Sequence, residues 1–325
     1  MSFNQSRTFL MRPFFVLQLS LCFFLCTLPL AQAEDLKVSL VQYPMEANQS
    51  YESMMKKIRG YIDEAVKDKP EIIVFPEYLT LDMWDLKNKK TDRQIVDEVA
   101  KHSERFVQDV VKLAKQHNTL LIAGTIPRQV GQKQRNSAVI AYPDGQVDYQ
   151  DKIFFTPWDK DMAFEEGREL KIFKTPSGHR FSVLICFDIE FPRLSQMLSK
   201  DPPELLIVPS MTESDGGFRR VRYSAQARAV ENHAYVAVVG TVGKTDKTWI
   251  NVGQAAFLSP QEGDYPALLK VGEMHKPAVY SHTFDMSKLK ATRAKSGYNP
   301  SRVDKGKSIQ IKTSKVAPAK PTKAP

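Results

Sequence analysis

Val183-Leu184-Ile185-Cys186-Phe187-Asp188, followed closely by Phe191-Pro192-Arg193-Leu194, is the stretch on which the fold turns. The apolar run 181–185 has the length and composition of a buried strand. Pro192 sits where a helix takes proline, at its first position, where no backbone N–H is required. The segment therefore reads as a strand that ends at a thiol and gives way to a helix. Such a turn exposes the sulfur and aims backbone N–H groups toward it, the logic of a nucleophile elbow.

Moving outward, 192–199 reads as a short helix and 205–208 as a strand. Residues 218–231 form a helix with Arg on its polar face, and 234–239 another strand. An earlier passage has the same order. Residues 36–41 are a strand, and 51–67 carry Met54, Ile58, Tyr61, Ile62 and Ala65 at helical spacing, closed by Pro70. A short buried strand follows at 72–75. Residues 92–116 place Ile95, Val99, His102, Phe106, Val110 and Leu113 on one helical face, and 120–123 is a strand again. Residues 137–142 and 147–150 flank Pro143-Asp144-Gly145 as a hairpin. Two successive β-α-β-α-β units imply an α/β fold with helices packed on sheets. The two passages share an order of elements and no sequence repeat.

The chain has 325 residues and a formal charge of +9, but the charge belongs to its ends. Residues 1–33 carry +2 and 287–325 carry +10, leaving 34–286 at −3. A mildly acidic body carries no nucleic-acid signature. Arg12, the apolar run 14–30 and Ala31-Gln32-Ala33 read as a signal peptide, cleaved after Ala33. The protein is accordingly expected to be secreted or periplasmic; an uncleaved membrane anchor is the alternative. Cleavage removes Cys22 and Cys26 and leaves Cys186 alone, so no intramolecular disulfide can form. Residues 287–325, rich in Lys, Pro and Ala, read as a mostly disordered tail able to contact anionic surfaces.

Three segments place a reactive residue just beyond a buried strand, where α/β folds assemble active sites. In Phe75-Pro76-Glu77, Pro76 takes the chain out of the sheet and presents Glu77, partly desolvated, as a general base. In Asp151-Lys152-Ile153-Phe154-Phe155 a Lys runs into apolar surroundings and needs a carboxylate or a developing anion. Cys186 is the third. Taken singly, Glu77 reads more readily as a cap or a solvated acid, and Lys152 as a guard on a strand edge. Brought together, they would let Lys152 lower the thiol pKa and Glu77 take its proton. No pair of His residues has metal-ligand spacing with acids or Cys, so neither metal nor cofactor is expected.

In this order the three segments resemble the nitrilase superfamily of carbon–nitrogen hydrolases, over about residues 36–285. Asn136-Ser137-Ala138 leading into Pro143-Asp144-Gly145 adds to the likeness, as do Val208-Pro209-Ser210 and Ala227-Arg228-Ala229-Val230-Glu231-Asn232. The resemblance implies a four-layer α-β-β-α sandwich forming a single catalytic domain, 34–286. It makes Glu77 the base, Lys152 the oxyanion-stabilising cation and Cys186 the nucleophile, with the backbone N–H of Phe187 as a second oxyanion donor. A further catalytic acid in the family falls on Asp161, with Glu165 and Glu166 as alternatives. Phe187-Asp188 after the Cys, in place of Trp-Glu, favours an amidase-like enzyme acting on a small amide. Ser210 and Met211 become candidates for substrate binding, and a homodimer or higher homo-oligomer is implied. An amide-forming acyltransferase or a nitrile hydrolase on the same triad, or an inactive binding protein, are the alternative readings.

Overall fold

The computed structural model describes residues 35–303 except 86, 89, 245–248 and 267, together with 1, 308 and 310. The expected signal peptide, its cleavage site and nearly all of the chain beyond 303 lie outside the described residues. Among those described, no helix is long and apolar enough to cross a membrane.

The first half runs β1 (Asp35–Gln42), α1 (Tyr51–Ala65), β2 (Ile72–Phe75), α2 (Asp92–Ala100), α3 (Ser103–His117), β3 (Leu120–Val130), β4 (Lys133–Ala141) and β5 (Val147–Asp151). A short helix α4 (Pro157–Asp161) follows. The second half runs β6 (Phe173–Lys174), β7 (Arg180–Val183), α5 (Pro192–Leu198), β8 (Leu205–Ser210), α6 (Asp215–Asn232) and β9 (Tyr235–Gly240). After it come β10 (Gly243–Lys244), β11 (Ile250–Asn251), β12 (Ala256–Leu258), β13 (Lys270–Val271), β14 (Ala278–Asp285), α7 (Met286–Lys295) and α8 (Pro300–Val303). Two six-stranded sheets result, ordered β14-β1-β2-β3-β4-β5 and β13-β12-β9-β8-β7-β6. β1, β2 and β3 are parallel, as are β7, β8 and β9.

The layers follow from strand alternation, because successive side chains point to opposite faces. Leu36, Val38, Leu40, Ile72, Val74, Leu120 and Ile122 join the core shared with Phe181, Val183, Leu205, Ile207 and Val236. Their neighbours Val41, Ile73, Phe75, Leu121 and Ala123 pack instead with Met54, Ile58 and Ile62 of α1 and Phe106 and Val110 of α3. Both faces of β2 are buried, and Ile72–Phe75 accordingly reads as an unbroken apolar run. Leu194 and Leu198 of α5 and Val221, Ala225 and Ala229 of α6 pack with the second sheet. The expected α-β-β-α sandwich is the observed fold.

Three details differ from the sequence expectation. The helical face over 92–116 belongs to two helices, because Thr91 caps α2 in a reciprocal box with Gln94 and the chain restarts at His102. Strand β3 continues well past residue 123. Its register shifts at a bulge around Gly124, and the rest pairs with β4. Finally, the tail does not begin at 287. Met286 and Leu289 of α7 are buried, and the Arg293 guanidinium donates to the carbonyls of His233 (2.7 Å) and Pro203 (2.5 Å), tying α7 to the connections that lead into β9 and β8.

Candidate active site

Glu77, Lys152 and Cys186 arrive from three strand ends and meet. Glu77 lies two residues beyond β2, Lys152 directly after β5 and Cys186 three residues beyond β7. All three are at most 5% exposed and line one cavity of about 330 Å³. Lys152 Nζ donates to Glu77 Oε1 at 2.8 Å and to Asp159 Oδ2 at 2.8 Å. The Cys186 thiol donates to the carbonyl oxygen of Met211 at 3.5 Å, and the charge of the neighbouring Glu77 carboxylate bears on it.

Each group is held by its own segment. The Glu77 turn depends on Gly124, whose φ is +67° and where a Cβ would stand 2.2 Å from the Pro76 carbonyl oxygen. Behind it, Thr125 Oγ1 accepts from the backbone N–H of Tyr78 at 2.9 Å. The Glu77 carboxylate also accepts from Asn136 Nδ2 at 2.9 Å and from the Met211 N–H at 3.1 Å. Cys186 opens a 3₁₀ turn, Cys186–Glu190, and has a φ of +46°. A non-glycine residue held there costs of order 1 kcal/mol or more, a strain typical of functional positions. Arg228 of α6 holds the far end of this turn by donating to Ile189 O at 3.1 Å while pairing with Glu231 at 2.7 Å. The 227–232 segment is thus a scaffold for the sulfur.

The second acid beside the lysine is Asp159. Asp161 is exposed, and Glu165 pairs with Arg135 instead. The reason lies in the helix start Thr156-Pro157-Trp158-Asp159, in which Thr156 is the N-cap and Asp159 occupies N3. From there its Oδ2 accepts from the Thr156 N–H (2.8 Å) and Oγ1 (2.6 Å) while facing Lys152. Tyr78 donates its hydroxyl to the other Asp159 oxygen. Recognising the capping box in the sequence would have separated Asp159 from Asp161. Asn136, Tyr78 and Asp188, whose carboxylate is buried under the Cys186 turn, also received no role from the sequence.

Ser210 is corrected too. Met211 lines the cavity, whereas Ser210, its neighbour at the end of β8, belongs to a separate small cleft with Val221, Val238 and Gly240. Phe187 lines the cavity. The three tryptophans cluster together, Trp158 and Trp249 lining the cavity: Trp84 and Trp249 rings lie 4.5 Å apart edge-on, and Trp158 stacks 6.2 Å from Trp84.

Burial governs the proton affinities. Desolvation raises Glu77 above the ordinary carboxylate range, Lys152 opposes this, and Asp159 adds to it. Asp159 is also pushed up by burial, but Lys152, Thr156 and Tyr78 outweigh that and hold it low. Lys152 is disfavoured by burial, yet its two carboxylates keep it charged and raise its pKa. The Cys186 thiol is raised well above its usual value, first by burial and then by Glu77, with Lys152 too weak a counterweight. Lys152 does pull the thiol pKa down, as expected, but burial first and the Glu77 charge second outweigh it, so the net shift is upward. At rest the centre holds a neutral thiol beside a basic carboxylate. Among the described residues no group of three or more His, Cys, Asp or Glu is arranged to hold a metal ion.

With this geometry in place, the chain matches the carbon–nitrogen hydrolase family over residues 37–263. The chain belongs to the carbon–nitrogen hydrolase family. Among its relatives, the probable hydrolase YhcX of Bacillus subtilis is 28% identical over 245 residues, 74% of this chain and 48% of that protein. The match thus spans about half of YhcX. The omega-amidase NIT2 of Xenopus tropicalis is 26% identical over 236 residues, 69% of this chain and 81% of the relative. The crystal structure of Saccharomyces cerevisiae Nit3, a member of branch 10 of the nitrilase superfamily, superposes with a TM-score of 0.70 at 20% identity. That likeness covers 84% of this chain and 98% of Nit3, and it bears on the fold alone.

Proposed function

We propose that this carbon–nitrogen hydrolase is a thiol amidase, opening the C–N bond of a small amide through a thioester on Cys186. The observation that carries the reading is the meeting, in one cavity, of a buried neutral thiol, a carboxylate whose own pKa is raised and a charged lysine. Glu77 takes the thiol proton as sulfur attacks the amide carbon, so no free thiolate need persist in a desolvated site. The C–S bond forms, and the carbonyl oxygen becomes an oxyanion facing Lys152 and the Phe187 N–H. Collapse breaks the C–N bond, and Glu77 returns its proton to the departing amine. Water then attacks the thioester, gives a proton to Glu77 and releases the acid, with the thiol re-formed. Asp159 keeps Lys152 charged and aimed throughout. The amidase names among the relatives support an amide over a nitrile.

A panel of small amides and N-carbamoyl compounds, scored for ammonia release, tests the activity. Substrate quenched on the enzyme should add mass to the peptide bearing Cys186; turnover with no such adduct under any quench would count against the thioester. We also propose export, from the pattern at 12–33. Recovering residues 14–30 intact in a membrane fraction would overturn it.

A further inference from the structure

Lys152 and Cys186 stand on different sheets, and backbone ladders do not cross from one sheet to the other. Lys152 follows β5 at one edge of the first sheet, and Cys186 follows β7 in the second. Something else must set the distance between cation and sulfur. The Asp188 side chain makes that crossing. It is 1% exposed and sits two residues after the Cys, inside the 3₁₀ turn. Its Oδ1 accepts from the N–H of Phe154 at 2.8 Å and of Ile153 at 3.2 Å, the two residues directly after Lys152. Its Oδ2 accepts from the N–H of Ile185 at 3.3 Å, directly before Cys186. One carboxylate therefore grips the chain on the near side of each reacting residue. The Phe154 ring stacks on Phe191 at 3.8 Å, a second link between the two segments.

We infer that Asp188 is a positioning residue, a strap that fixes Lys152 against Cys186 across the sheet interface. The inference deepens the hydrolase reading and takes the roles of Lys152 and Cys186 from it. Every partner of the carboxylate is a backbone donor, so the position demands a group that only accepts. Asparagine fits the space but turns an NH₂ toward at least one N–H, leaving two donors face to face in a buried site. Glutamate keeps the acceptor character on a longer arm. The strap acts on alignment, and a misplacement of about 1 Å in such a site costs on the order of a hundredfold in rate.

The test compares D188N and D188E in the full chain by two readouts, with thermal melting as the check on folding. The first readout is the rate at which iodoacetamide alkylates Cys186, followed on its own peptide. The second is the split between kcat and KM on whichever amide the panel identifies. D188N is expected to slow alkylation and kcat by about a hundredfold while KM stays within about threefold. D188E is expected to recover to within about tenfold of wild type. D188N alkylated at the wild-type rate, or D188E as slow as D188N, overturns the strap. If D188N does not fold, D188E decides alone, and alkylation more than about tenfold below wild type overturns it. Alkylation needs no substrate. A wild-type protein without amide turnover whose D188N alkylation still slows would end the hydrolase reading and leave the strap standing.

Discussion

Read from β14 to β5 and from β6 to β13, the two sheets carry the same succession of pairings: antiparallel, parallel, parallel, antiparallel, antiparallel. β1 corresponds to β7, and β2 to β8. What leaves the corresponding strand ends differs completely. Beyond β2 stands Glu77, and beyond its counterpart β8 stands Met211, which offers only backbone: its N–H to Glu77 and its carbonyl to Cys186. The β5 end yields Lys152. The β7 end yields the sulfur. The first half thus holds a self-contained ionic group of Glu77, Lys152 and Asp159, already paired without help from the second. A repeated scaffold has been divided into an electrostatic half and a nucleophilic half. Chemistry depends on the few side chains and amides that join them.

That division sets the order of expected effects. Cys186→Ala removes the reaction from the nucleophilic half and should cost on the order of a million-fold in kcat, with little change in melting. Lys152→Ala should cost nearly as much in rate, and the double variant no more than either alone, because the groups act as a unit. The same lysine change should lower stability by about 3–5 kcal/mol, since it leaves two carboxylates buried without their cation. A denaturant melt of both variants checks the contrast. Equal stability losses would show that the two halves are not electrostatically separate.

Asp159→Asn against Asp161→Ala sharpens the picture within the first half. Steady-state kinetics should show kcat falling by about 10²–10³-fold for the former, which weakens the hold on Lys152, and no change for the exposed Asp161. A loss at Asp161 with none at Asp159 would move the second acid back to where the sequence put it. The smallest effect concerns the end of the chain. Deletion from residue 304 should leave turnover and melting unchanged. Deletion from Met286 uncovers part of the shared core and loses a buried Leu289, for a cost of about 2–5 kcal/mol.

The alternating elements, both β-α-β-α-β units and the three converging residues were legible because each leaves a local mark: an apolar run, a helical period, a reactive side chain just past a strand. Asp159 and Asp161 lie two residues apart in one short acidic stretch, and only the cap geometry at Thr156 tells them apart. Asp188 was legible as part of a motif and not as a strap, since its partners Ile153 and Phe154 lie far away in sequence. The net shift of the thiol was not legible because the burial of the sulfur and its closeness to Glu77, which outweigh the lysine's pull, are set by the fold. Strands β10 to β13 are two or three residues long and carry no alternation to read. In β3, Gly124 and Pro127 interrupt the apolar pattern although the strand continues through them.

The register of β14 on β1, from Asp35 opposite Asp285 to Gln42 opposite Ala278, joins the earliest described strand to one of the last. In kinetic terms, the first sheet closes late. β1 emerges early in synthesis, but its outer edge stays unpaired until nearly the whole domain has been made. Pairing so distant in sequence carries a large loop-closure cost and slows folding. Until then, the row of free amides on β1 is open to association with other chains. Under the export proposed above, the same delay would leave the first strand unlocked until the last had been made.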